Sequence, residues 1–293
     1  MTSKTGEFHA FSGWPLRRKK KVTTGMVMDF WKKFQTILIT GGSSGIGEAF
    51  FPELARRCPS ARLVNLSRSA PREDLTDRSI DHFSVDLTNH ESAEEVLNTL
   101  LPTLASGPLL LINNSGFGSY GEFPEPDTAT QVNMVDLNVR APVWLTGQLI
   151  PHLRQHGGAV INVASTAAFQ PTPFMATYGA SKAFLLHWSL GLHHDLKPAK
   201  VRVLALCPGP TSTAFFRRAG FSDQVVSNYI GETPEQVVRR GLWALEKGRA
   251  STVSGWKNRL LTFGSSKLPK TLCAALAVPI LRKVRMAQLA AKK

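Results

Sequence analysis

The sequence predicts an α/β protein, a doubly wound parallel sheet with helices on both faces. Three observations predict it. Short apolar runs of strand length alternate along the chain with longer helical patterns, the signature of βαβ units. The first run, Thr36-Ile37-Leu38-Ile39-Thr40, opens directly into a Gly-rich turn, Gly41-Gly42-Ser43-Ser44-Gly45-Ile46-Gly47, and a helix follows. The length of 293 residues suits one such domain with extensions, and no internal repeat or long linker divides it.

The elements follow in order. Residues 36–40 form a buried strand, and 45–57 a helix that stops before Pro59. Residues 62–66 form the second strand and 80–85 the third, which closes on Asp86. A helix over 89–104 leads to Leu109-Leu110-Leu111-Ile112-Asn113, the fourth strand. A long helical pattern over 128–155 contains Pro142 and Pro151, so a bend or two pieces is expected there. Ala159 to Val163 is the fifth strand, 177–196 a helix, and Val201 to Leu206 the sixth strand. A loop over 207–233 precedes a helix over 234–247, and Ser251 to Val253 forms a short last strand. A sheet of this kind binds its ligand at the carboxyl ends of its strands, beside the switch point in strand order.

The formal charge of +14 is unevenly spread. Residues 1–35 carry eight Lys or Arg and two acids; residues 247–293 carry eleven and no acid. The middle, 36–246, is left at −3. A mildly acidic body argues against a nucleic-acid-binding core, and basic ends suit contact with an anionic surface. The expected organisation is a basic, disordered extension over 1–35, a catalytic domain over 36–255 and a basic amphipathic extension over 256–293. Met26 and Met28 stand as alternative starts, a few residues ahead of the first strand. Arg17 to Lys21 is followed by no apolar stretch, so it does not open a secretory leader. Cys58, Cys207 and Cys273 are far apart and form no CxxC, as expected of reduced thiols in the cytoplasm.

The Gly-rich turn lets the backbone approach a pyrophosphate. Gly41 permits the tight turn, and Gly45 and Gly47 remove side chains where helix, phosphates and strand meet. Free N–H groups and the positive end of the helix favour the anion. Downstream, Ser165 ends the fifth strand, while Tyr178 and Lys182 share one face of the next helix at i, i+4. A free tyrosine has a pKa of about 10, high for proton transfer at neutral pH. A neighbouring ammonium is expected to lower it, and Lys182 supplies one. Ser165 can donate to a substrate oxygen and fix its position.

The motif Thr40-Gly41-Gly42-Ser43-Ser44-Gly45-Ile46-Gly47 has GxxxGxG spacing and resembles the cofactor motif of the short-chain dehydrogenase/reductase family, a Rossmann-type fold. Asn113-Asn114-Ser115-Gly116 is similar to the family's NNAG, with Ser115 in place of Ala. The resemblance spans about 36–255 and reaches neither basic end. It implies hydride transfer between a nicotinamide cofactor and a carbonyl or alcohol. It places Ser43, Ser44, Ile46, Asn114, Gly116, Asp86 and Leu87 at the cofactor, Asp86 on the adenine amino group. Pro208-Gly209 with Thr211 and Thr213 would hold the nicotinamide carboxamide, and Lys182 its ribose. Asn138 would be the fourth catalytic residue, supporting a water that relays protons to Lys182. A homodimer or homotetramer built on the helices around 128–155 and 177–196 is implied as well.

Charge then points to NADP(H). The second strand ends Leu66-Ser67-Arg68, without the acid that would accept from both ribose hydroxyls of NAD. Arg68 can pair with a 2′-phosphate; the plainer alternative is a solvated surface arginine. His152 and His156, and His193-His194-Asp195, lack the context of a metal site and read as helix-face residues, so no metal is expected. The segment Ala214 to Phe221 is aromatic and basic. Its phenylalanines either line a pocket for an apolar carbonyl compound, one with an acidic end included, or pack the lid onto the body. The apolar run Leu272 to Leu281 is too short to span a bilayer and is broken by Pro279. It suits either an interfacial helix on anionic lipid or a helix packed on the substrate side. The expected protein is an NADP(H)-dependent oxidoreductase of a small-molecule carbonyl or alcohol, lipid-like substrates first. It is cytoplasmic, with attachment to an anionic membrane surface as an open possibility. The other class is a silent cofactor-binding sensor or membrane-surface scaffold on the same fold.

Overall fold

The computed structural model describes residues 30–221 and 231–290. Among the described residues seven strands form one sheet: β1 (Thr36–Thr40), β2 (Arg62–Ser67), β3 (Ile80–Ser84), β4 (Leu109–Asn113), β5 (Gly158–Val163), β6 (Arg202–Cys207) and β7 (Ser251–Val253). Their order is β3-β2-β1-β4-β5-β6-β7, and every pairing is parallel. The order reverses between β1 and β4, so the switch point lies where the Gly-rich turn leaves β1. The strands are near-continuous apolar runs because both faces of the sheet are covered. The helices are α1 (Gly45–Arg57), α2 (His90–Leu100), α3 (Thr128–Val135), α4 (Ala141–His156), α5 (Ala176–Asp195), α6 (Pro234–Glu246), α7 (Trp256–Lys267) and α8 (Lys270–Ala290).

Two buried clusters fill the two faces. On one, Ile37 and Ile39 meet Phe50, Phe51 and Leu54 of α1 and Leu242 and Leu245 of α6. On the other, Leu38 and Leu111 meet Leu97 of α2, Leu145 and Leu149 of α4 and Leu192 of α5. Residues ahead of β1 join the first cluster. Phe30, Trp31 and Phe34 are buried there, and Trp31 Nε1 donates to Glu246 Oε2 at 2.9 Å. The packed body therefore starts before residue 36, and the expected boundary after 35 cuts through an aromatic cluster. Of the disordered extension expected over 1–35, residues 1–29 lie outside the described residues.

Most expected elements match the observed ones within a residue or two. The segment over 89–104 is shorter as an α-helix. It tightens into a 3₁₀ turn over Leu101–Thr103, where Pro102 has no N–H for the ladder. The long pattern over 128–155 is two helices, as expected, but neither proline makes the break. Asp136–Arg140 forms a π-helical turn between α3 and α4, closed by Ala141 N–H on Asp136 O. Pro142 sits in the first turn of α4, where its missing N–H costs little, and Pro151 lies inside α4. The loop after β6 contains a single helical turn, Phe215–Arg218, and a bridge between Thr211 and Glu232. Its residues 222–230 lie outside the described residues.

Candidate active site

Asn65, on β2, builds the Gly-rich turn from below. Its Oδ1 accepts from Gly42 N–H at 2.9 Å, and its Nδ2 donates to Ser67 Oγ. Thr40 Oγ1 accepts from the N–H groups of Asn114 and Ser115, and Asn114 Nδ2 donates back to the carbonyls of Thr40 and Gly41. The ends of β1 and β4 are thereby tied across the switch point. Gly41 and Gly45 take φ of +68° and +62°, which an L side chain rarely adopts. A Cβ on Gly47 would strike the Gly41 carbonyl and the Asn114 amide. Ser44, the N-cap of α1, makes no side-chain cap, so it does not compete for the first-turn N–H groups.

A cavity of about 740 Å³ runs along the strand ends. Gly41, Ser43, Ser44, Gly45 and Ile46 line the side of the β1–α1 turn; Arg68, Asp86 and Leu87 form the β2–β3 side. Asn114 and Gly116 line the middle, and Pro208, Gly209, Thr211 and Thr213 the β6 side. Gly47 packs beneath the turn rather than into the cavity. Arg68 is exposed, with Nη1 3.9 Å from Asp86 Oδ2. Burial raises the Asp86 carboxyl pKa, but two hydrogen bonds from Thr88 and the charge of Arg68 outweigh it, leaving a net lowering. No acid on β2 faces Arg68.

Ser165, Tyr178 and Lys182 line the same cavity. Ser165 caps the turn after β5, its Oγ accepting from Ala167 N–H at 3.1 Å, and its side chain also hydrogen-bonds Tyr178. Lys182 Nζ donates to Val163 O at 2.9 Å and stands 5.9 Å from the centre of the Tyr178 ring. Burial pushes the Lys182 ammonium down to about 8, while the nearby Cys207 sulfur opposes the shift. The expected lowering of the Tyr178 pKa is not what the structure gives. Burial pushes the phenol up to about 12, and the Ser165 hydrogen bond only tempers the rise. A phenoxide at this depth loses more hydration than its neighbours return.

Asn138 is fully buried in the π-helical turn. Its Oδ1 accepts from Phe117 N–H at 3.1 Å, and its Nδ2 donates to Phe117 O and Ser181 Oγ. A Cβ on Gly116 would lie 2.9 Å from Asn138 Oδ1 and 3.2 Å from Lys182 Nζ, so glycine is what lets these three meet. Beyond Tyr178, Phe215, Phe216, Met175 and Arg218 line the outer cavity. Phe215 also packs on Tyr178, ring centres 5.3 Å apart. The two histidine pairs lie elsewhere, with His152 and His193 bonded to the carbonyls of Gly107 and Val203. Among the described residues no group of three or more His, Cys, Asp or Glu could hold a metal. Sequence reasoning missed Asn65 and Thr40. Their signal was a polar residue inside, or ending, an apolar strand run beside the turn.

The short chain dehydrogenase family model matches residues 35–222. A serine 3-dehydrogenase of Agrobacterium fabrum is 34% identical over 209 residues, covering 68% of this chain and 82% of that protein. A short-chain dehydrogenase from Sphingobium yanoikuyae, solved in complex with NADPH, superposes with a TM-score of 0.69 at 29% identity, covering 80% of this chain and 94% of that one. A short-chain dehydrogenase from Burkholderia cenocepacia, solved in complex with NADP, gives a TM-score of 0.68 at 26% identity, covering 82% and 96%. The chain belongs to the short-chain dehydrogenase/reductase family.

Proposed function

We propose that the protein is an NADP(H)-dependent oxidoreductase that reduces a carbonyl, or oxidises the corresponding secondary alcohol, on an apolar, lipid-like substrate. The observation that carries this reading is the meeting of the Gly-rich turn, Arg68 and the Ser165–Tyr178–Lys182 group on one cavity. The residues fit the cofactor. Gly41 and Gly45 leave the room that a pyrophosphate needs at the start of α1, Gly47 lets α1 close beneath the turn, and Arg68 offers a guanidinium for a 2′-phosphate on a strand end that carries no acid of its own. Asp86 and Leu87 would meet the adenine, and Pro208, Gly209, Thr211 and Thr213 the carboxamide end. The NADPH and NADP held by the two solved relatives support this choice.

The bound cofactor supplies or accepts the hydride. In the reducing direction, Tyr178 Oη gives its proton to the alkoxide that forms, and at pKa about 12 it holds that proton throughout the neutral range. Ser165 Oγ donates to the same oxygen and fixes it. Lys182, anchored on Val163 O, places a positive charge beside the tyrosinate left behind. Asn138 holds the Phe117 backbone and Ser181, and by family resemblance supports the water that returns the proton through Lys182. Phe215, Phe216 and Met175 favour an apolar substrate.

The same reading has the enzyme as a homodimer or homotetramer, supported by exposed Val132 and Val135 on α3, Val143 on α4 and Phe184 on α5. It also has the enzyme in the cytoplasm, attached peripherally to anionic membrane through its basic C-terminal segment. The cofactor assignment is tested by steady-state rates with NADPH and NADH. Wild type is expected to prefer NADPH, and Arg68→Glu to lose that preference through repulsion of the 2′-phosphate. An unchanged preference would refute the role of Arg68.

A further inference from the structure

The two C-terminal helices carry exposed apolar side chains in helical register. On α7, Trp256, Leu260 and Phe263 follow i, i+4, i+7, with Leu261 beside them, and each is more than 60% exposed. On α8, Leu272 and Leu276 repeat the spacing and are also exposed, as is Leu268 between the helices. Large apolar side chains gathered on one segment are unusual on a free surface. Cations stand among them. Lys257 Nζ lies 5.7 Å from the Trp256 ring, and Lys267 Nζ 5.8 Å from the Phe263 ring. Arg259, Arg282 and Lys283 are exposed as well. From residue 247 to 293 there are eleven Lys or Arg and no acid, so nothing on this segment repels an anionic partner. Among the described residues no helix is long and apolar enough to cross a membrane.

The segment is also tied to the substrate side. Lys270 Nζ donates to Phe169 O, in the turn that begins at Ser165. Tyr120 Oη donates to Leu281 O, and Arg285 makes a paired contact with Glu125. From Tyr120 the rings run inward: it stacks on Phe221 at 4.3 Å, Phe221 meets Phe216, Phe216 meets Phe215, and Phe215 meets Tyr178. The basic, apolar segment is thus tied to the turn after β5 and to the stretch from Phe117 to Glu125, whose Thr166, Ala167 and Phe117 line the cavity.

We propose that α7 and α8 form a docking face for an anionic phospholipid bilayer, with Trp256, Leu260, Leu261 and Phe263 entering the headgroup region, and that docking sets the substrate mouth against the bilayer. The proposal rests on the reductase reading and adds the face that docks and the route by which an apolar ketone arrives. Tryptophan and phenylalanine flanked by lysine suit the boundary between headgroups and chains. Each cation near an anionic surface multiplies binding by about fivefold, so charge and apolar burial act together.

The test is co-sedimentation of the full chain with phosphatidylcholine vesicles with and without phosphatidylserine, alongside Leu260→Glu/Phe263→Glu and Lys257→Gln/Lys267→Gln. Wild type is expected to pellet with the phosphatidylserine vesicles only, and less so at raised salt. The Glu pair is expected to stay in the supernatant, and the Gln pair to bind about tenfold or more weakly. NADPH oxidation with a short, water-soluble ketone is expected to be unchanged in both variants, while turnover of a ketone held in the vesicles falls with binding. Equal pelleting on both vesicle types, or none on either, would overturn the proposal. So would a face occupied by a second copy of the chain, seen as self-association in ultracentrifugation that the Glu pair abolishes. Loss of the soluble-ketone activity in wild type would instead count against the reductase reading, whatever the vesicles show.

Discussion

Tyr178 and Lys182 are shifted in opposite directions by one cause, burial. The phenol, at about 12, holds its proton across the working range; the ammonium, at about 8, does not. Carbonyl reduction that needs the charge on Lys182 should therefore be flat at neutral pH and fall as pH rises through about 8. A kcat/KM profile checks this, and Lys182→Arg, if its residual activity is measurable, should move the fall upward because a guanidinium does not titrate there. The stability consequence has the opposite sign. The folded pKa lies below the ordinary lysine value of 10.5, so the folded state resists protonation of Lys182. That penalty is fully present below about 8 and fades toward 10.5 as the unfolded chain also loses its proton. Lys182→Met should stabilise the protein at pH 7 by about 1–3 kcal/mol in denaturant unfolding while removing activity. That Ser165, Tyr178 and Lys182 share one cavity was legible because the Gly-rich turn gave the i, i+4 spacing and the strand end a context. The direction of the Tyr178 shift was not, because depth of burial is a property of the packed α5 and not of the spacing.

At the scale of elements, the β1–α1 turn is the part whose sequence and structure agree most closely. Its glycines announce the positive φ values and the close approach, so the turn could be read before any packing was known. Gly47→Ala should weaken cofactor binding by about 1–3 kcal/mol, measured by fluorescence titration, because a Cβ there meets the Gly41 carbonyl and the Asn114 amide. The support under the turn was hidden. Asn65 bonds Gly42 across 23 positions, and nothing local in β2 marks it except a polar residue in an apolar run. Asn65→Ala should destabilise the protein by about 1–3 kcal/mol, since the Gly42 N–H is left buried without its acceptor. The π-helical turn at Asp136–Arg140 was hidden for a related reason. Two prolines nearby explained a break well enough, yet they lie inside α4, and the break serves Asn138 instead, turning its amide onto Phe117 and Ser181.

On the scale of the whole molecule, parallel pairing followed from the alternation of apolar runs with helices, whereas the strand order came only with the structure. The limits of the folded body were not legible either. Phe30, Trp31 and Phe34 reach over to α6 in a basic stretch whose charge masks its three aromatics. Trp31→Ala should cost about 3–5 kcal/mol in urea unfolding, as expected for a large buried ring, and should leave the cofactor preference unchanged. The C-terminal helices, legible as basic and amphipathic, fold back onto the substrate side while still exposing an apolar stripe, so both packing and docking features coexist on them. The central claim is that the cavity at the strand ends is a reductase site working through Tyr178. Its most direct test is NADPH oxidation by the purified protein against short and long-chain ketones, with Tyr178→Phe alongside. The account predicts turnover that falls about 10²–10⁴-fold in the variant while NADPH still binds. Turnover that survives the loss of the phenol, or NADPH binding with no turnover of any ketone by wild type, would contradict it.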